Sequence, residues 1–75
     1  MDRAIHPLRA YRLRQEPRLR LKDLAVRIGT SKGNLSRIEN GKQLVSEDLL
    51  PKVAAETGIP ASKLRPDLAA LMRSR

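Results

Sequence analysis

A glycine set between two short apolar stripes limits the folds open to this chain more than any other feature. Leu21, Leu24, Ala25 and Ile28 recur at i, i+3, i+4 and i+7, the spacing that lines one face of a helix. Gly29-Thr30-Ser31 interrupts the pattern, which resumes at Leu35 and Ile38. Glycine suits the left-handed conformation that closes a helix, and serine accepts readily from the first free N–H groups of the next one. The spacing predicts a helix over 21–28 and a second over 31–40. So few residues between them force a steep crossing. Two helices this short cannot bury both stripes against each other, so the remaining chain has to complete the core.

The flanks supply short helices for that purpose. His6-Pro7 marks a start, because proline loses nothing in the first helical turn. That helix is expected over 7–15 and stops before Pro17, with Leu8, Tyr11 and Leu13 available for burial, and Leu19 in the connection plugs into the core. Arg20 stands where the 21–28 helix needs a cap, and Asp23 lies in its first turn, where the helix dipole favours an acid. Asn40-Gly41 ends the next helix, and 42–45 is read as a loop. A fourth helix is capped by Ser46 or Asp48 and runs to Thr57, with Pro51 favouring the later start. Ile59-Pro60 opens a fifth through Leu64, and 67–72 can add one or two marginal turns. The expected fold is all-α: five short helices around one core over 7–64, a tail over 65–75, and a loosely docked start over 1–5, in a single domain.

Charge narrows the partner. Sixteen Lys and Arg stand against eight Asp and Glu, a net charge of +8, which points to a polyanion. With one aromatic residue, Tyr11, the chain lacks the platforms of a base-stacking single-strand binder. It contains no cysteine and one histidine, so no metal site is expected, and no acid/base or nucleophile pair argues for an enzyme. No cofactor is expected, and Gly41-Lys42-Gln43 does not spell a phosphate loop. No apolar run reaches membrane-spanning length and no secretory pattern opens the chain, so no membrane partner is expected and the cytoplasm is the expected location.

The 31–40 helix turns Lys32, Gly33, Asn34, Ser36, Arg37 and Asn40 away from its apolar stripe, with no acid among them. This reads as a surface for double-stranded DNA. Lys32, Gly33, Asn34 and Arg37 are the candidate base readers, since the N-terminal part of such a helix enters the major groove most deeply. Arginine can bind guanine O6 and N7 in a bidentate manner, and asparagine can pair with adenine. Ser31, Ser36, Asn40, Lys42 and Gln43 are placed for phosphates, with Arg20 and Lys22 as point charges from the preceding helix. One short helix makes few base contacts, so a homodimer on a palindromic operator is expected, with an interface over Ala61 to Met72 involving Leu68, Leu71 and Met72.

Leu24, Ala25, Ile28, Gly29, Leu35 and Ile38, followed by Arg37-Ile38-Glu39-Asn40-Gly41, resemble the Cro/repressor-type (XRE-like) helix-turn-helix family. With the opening HPLRAYR and the closing IPASKLRPDLAALM, the chain looks like short YdaS-like Cro-type regulators of bacteria and their prophages. The resemblance implies a lambda-repressor-like fold with the helix-turn-helix as helices two and three. It implies a transcriptional repressor, expected at the nucleoid; with no effector domain read in the chain, no small-molecule effector is expected. It also implies a structural ion pair between Glu39 and an arginine of the first helix, for which Arg14 holds the matching place. Two positions depart from the family pattern: Leu21 stands where glutamine is usual, and Arg20 where a capping residue is usual. The rival readings are an antitoxin-like protein-interaction module and a non-specific nucleic-acid binder. Outward hydrophobics on the 31–40 helix would favour a protein partner, and that helix carries none.

Overall fold

The computed structural model describes residues 5–73, with side chains through residue 71. Among the described residues there are six helices and no strand: α1 (Pro7–Arg14), α2 (Leu21–Ile28), α3 (Lys32–Glu39), α4 (Leu50–Thr57), α5 (Ala61–Leu64) and α6 (Pro66–Arg73). The expectation of five helices is corrected to six. The turns expected at 67–72 are a full helix that packs on α5, with Leu68 and Ala69 half-buried. Residues 1–4 and the side chain of Met72 lie outside the described residues.

Local chemistry sets the boundaries. The backbone N–H of Leu8 donates to His6 Nδ1 at 3.1 Å, so the histidine caps α1 beside a proline that has no N–H to satisfy. Gly29 takes φ +78°, and the N–H groups of Gly29 and Thr30 donate to the carbonyls of Val26 and Ala25 at 3.1 and 2.9 Å. This paired closure satisfies carbonyls that the end of α2 would otherwise leave open. Ser31 Oγ then accepts from Asn34 N–H at 3.0 Å to start α3. The same closure recurs at Gly41, φ +74°, where the N–H groups of Gly41 and Lys42 reach Ile38 and Arg37 at 3.1 and 2.9 Å. Pro51 falls in the first turn of α4, but the expected cap is corrected. Neither Ser46 nor Asp48 caps the helix, whose N-cap is Leu49 without a side-chain bond. Ser46 Oγ instead caps a preceding turn by accepting from Leu49 N–H at 3.2 Å.

Leu8, Leu24, Ala25, Ile28, Leu35, Ile38, Val45, Val53 and Leu64 form the core, with Tyr11, Leu19 and Ile59 among the half-buried residues packed around it. The α2 and α3 stripes thus meet inside a wall made by α1, α4 and α5. Val45 is the surprise, 1% exposed in a stretch read as loop. Arg65 holds that stretch in place, donating from Nη1 to the Val45 carbonyl and from Nε and Nη2 to Asp67 at 3.0 and 2.8 Å. These bonds hold the Asp67 carboxyl well below its usual range, at about 2.

The ion pair expected between Arg14 and Glu39 is corrected: the partner is Arg12. Arg12 follows Leu8 by four residues and lies about 40° round the helix from it, whereas Arg14 lies about 120° away. Because Leu8 is fully buried, the rotation of α1 carries Arg12 towards α3 and leaves Arg14 exposed. Arg14 instead borders an open groove with Thr57, Gly58 and Lys63.

Candidate nucleic-acid interface

The outward surface of α3 follows from how firmly its other side is held. Leu35 and Ile38 are both 0% exposed, which fixes the helix about its axis and leaves Lys32, Gly33 and Arg37 exposed, with Asn34 and Ser36 partly so. The acid of the helix, Glu39, is withdrawn into the Arg12 pair, its side chain 6% exposed. The pair raises the Arg12 pKa, mainly through the hydrogen bonds to Glu39, so the guanidinium is held charged and satisfied. A helix with this inward anchor presents amides and cations outward without a competing carboxylate.

Several of these side chains form one bonded unit. Asn34 Nδ2 donates to Thr30 Oγ1 at 2.8 Å, Gln43 Nε2 donates to Asn34 Oδ1, and Arg37 Nε donates to Gln43 Oε1 at 3.1 Å. The chain of bonds links the turn before α3, the outward face of α3 and the loop after it. The guanidinium lies over Gly33, where an added Cβ would sit 3.6 Å from Arg37 Nη1. Thr30 and Gln43 thereby acquire roles that spacing along one helix did not suggest.

Residues 8–66 match the family model described as a helix-turn-helix domain, from the first core residue of α1 to the start of α6. The chain belongs to the helix-turn-helix domain family. Neither the curated proteins nor the solved structures compared with it give a match. A helix-turn-helix is a DNA-binding arrangement whose second helix enters the major groove while the first crosses the backbone. In this helix-turn-helix domain α2 is the first helix and α3 the second.

The other candidate phosphate residues of the helix-turn-helix lie apart from the bonded unit. Ser36 Oγ accepts from Asn40 Nδ2 at 3.4 Å, a second and weaker pair one turn along. Lys42 is exposed directly after the closure of α3, and Arg20 and Lys22 are exposed at the start of α2, which has no side-chain cap. Ser31 spends an oxygen lone pair on its cap and keeps a hydroxyl hydrogen to donate. Among the described residues no acidic or histidine cluster could hold a metal, and no helix is long and apolar enough to cross a membrane.

Proposed function

We propose that this chain is a sequence-specific double-stranded DNA-binding regulator of the Cro/repressor type, placing α3 in the major groove and repressing transcription by occupying an operator. Arg37 reads a guanine through its guanidinium, Lys32, Gly33 and Asn34 line the same groove, and Ser31, Ser36, Asn40, Lys42, Arg20 and Lys22 face phosphates. The observation that supports this reading is the orientation of α3, with Leu35 and Ile38 fully buried, Arg37 exposed and Glu39 turned inward. Residues 7–64 act as the DNA-binding core, and 65–75 as its extension. The resemblance to YdaS-like regulators extends the proposal to a bacterial or prophage operator, in the cytoplasm at the nucleoid, without an enzymatic step, cofactor or effector.

Two copies bind two half-sites about 34 Å apart, because one short helix reads too few bases for useful specificity. An apolar cleft of about 220 Å³ between α4, α5 and α6, bordered by Leu50, Ala61, Leu68 and Ala69, supports that side as the meeting face. Random-oligonucleotide selection with the wild type and with Arg37→Ala tests the whole reading. An inverted repeat that loses preference at one or two positions per half-site in the variant supports it. Equal affinity for every sequence leaves only a non-specific binder, and no DNA binding at low salt points to a protein partner.

A further inference from the structure

Gln43 sits outside α3, in the exposed loop that follows it, and position alone makes it one more phosphate contact. Its hydrogen bonds argue otherwise. Its carbonyl oxygen accepts from Arg37 Nε at 3.1 Å and its amide nitrogen donates to Asn34 Oδ1, so one side chain joins two outward residues of α3. Asn34 is held from its other end by Thr30 Oγ1 at 2.8 Å. The direction of every bond in the series is fixed, because Arg37 can only donate and Thr30 sits at the amide nitrogen of Asn34. A primary amide can accept from an arginine with its oxygen and donate to an asparagine oxygen with its nitrogen at once.

The bonds made leave the bonds available. Arg37 uses Nε internally, so its two Nη groups remain as a parallel donor pair, the arrangement that meets guanine O6 and N7. Asn34 has its oxygen occupied by Gln43 and one amide hydrogen by Thr30, so it is a buttress before it is a reader. A free arginine would lose the entropy of several rotatable bonds on engaging a base, whereas one already tethered loses less. We infer that Gln43 is a specificity-determining positioning residue, which aims the Arg37 guanidinium at its base through a bridge to Asn34 and does not serve as a phosphate clamp. This rests on the reading of α3 as the groove helix and Arg37 as a base reader.

The test compares base preference with overall affinity in full-length Gln43→Ala, Gln43→Lys and Arg37→Ala. Each is measured by random-oligonucleotide selection and by binding to the selected and a scrambled duplex. For Gln43→Ala, affinity for the selected duplex should fall about threefold to tenfold, the worth of one or two hydrogen bonds, with scrambled-duplex binding unchanged. Gln43→Lys adds a cation, so scrambled-duplex binding should hold or rise while preference at the Arg37 base still relaxes. Adding Gln43→Ala to Arg37→Ala should produce little further loss, since the tether then has nothing to aim. Thermal unfolding should be unaffected, because the loop side chain is exposed. Uniform weakening by Gln43→Ala across all sequences, with Gln43→Lys restoring full preference, overturns the inference in favour of a phosphate contact. An Arg37→Ala selection with an unchanged motif overturns instead the reading of Arg37 on which the inference stands.

Discussion

Glu39 receives the Arg12 guanidinium through both carboxylate oxygens, from Nη2 at 2.8 Å and from Nε at 3.0 Å, across 27 residues of sequence. The third guanidinium nitrogen, Nη1, donates to the Leu19 carbonyl at 3.3 Å, so one side chain ties α1 both to α3 and to the segment leading into α2. Side-chain exposures of 15% and 6% place the pair at the edge of the core, where water does little to replace a lost partner. Glu39→Ala should therefore destabilise the fold by about 2–3 kcal/mol, since it leaves a half-buried cation unmatched. The double replacement Arg12→Met with Glu39→Leu should be less damaging than the sum of the single changes. Arg14→Ala should fall within about 0.5 kcal/mol of wild type. Urea denaturation of Glu39→Ala, Arg12→Ala, Arg14→Ala, the double replacement and its two single changes measures all of this, and a larger loss from Arg14→Ala than from Arg12→Ala would refute the assignment.

His6 gives the domain a pH dependence of known sign. Its Nδ1 accepts the Leu8 N–H, which requires that nitrogen to be unprotonated. Burial lowers its pKa below the ordinary 6.5, and the nearby charge of Glu39 opposes the shift only in part. The unfolded chain thus takes up a proton more readily than the native one. The capping contribution is present in full above pH 6.5 and is lost as the pH falls through the lowered native value. The chain contains one histidine, so the effect belongs to a single imidazole. Wild type should lose stability between pH 7 and pH 5. His6→Asn, an uncharged cap, should flatten that slope, and thermal melts at the two pH values read the difference.

The α2–α3 pair was legible because every signal for it is local: the apolar period, a glycine that takes positive φ at 29, a serine cap at 31. The start of α1 was legible for the same reason. The unread features depend on the fold. Arg12 and Arg14 are equivalent by composition, and only the burial of Leu8 decides which of them faces Glu39. Val45 carries no periodic signal; it is buried in the core from a loop whose carbonyl Arg65 grips from 20 residues away. Gln43 joins the α3 surface through the path of a loop, which no spacing rule describes. A sixth helix forms because α5 gives the marginal 67–72 turns a surface to pack on.

Gly33 poses a choice between stability and function. It lies in the first turn of α3 with ordinary helical backbone, so alanine there should gain about 0.5–1 kcal/mol from helix propensity. The new methyl would stand 3.6 Å from Arg37 Nη1, an ordinary contact, so nothing in the free protein opposes the gain. On DNA the same methyl would occupy the edge of α3 proposed to face the groove. Gly33→Ala should therefore melt several degrees higher and bind its selected duplex more weakly. Calorimetry and a binding titration on one preparation separate the two effects. Unchanged DNA affinity would remove Gly33 from the interface.

Lys42 and Arg37 are both exposed cations near the end of α3, yet they should respond differently to salt and to sequence. A lysine on phosphate displaces counterions and reads no base, so Lys42→Ala should weaken all duplexes alike and lower the log–log salt slope by about 0.9. If Arg37 directs its charge at a base edge, as proposed, Arg37→Ala should cost about 1–3 kcal/mol on the selected duplex and much less on a scrambled one. Titrations of both variants on both duplexes, each from 50 to 200 mM salt in roughly twofold steps, give the four slopes needed. Reversed behaviour, with Lys42 carrying the preference and Arg37 only the slope, would move the reading head from the middle of α3 to the loop behind it.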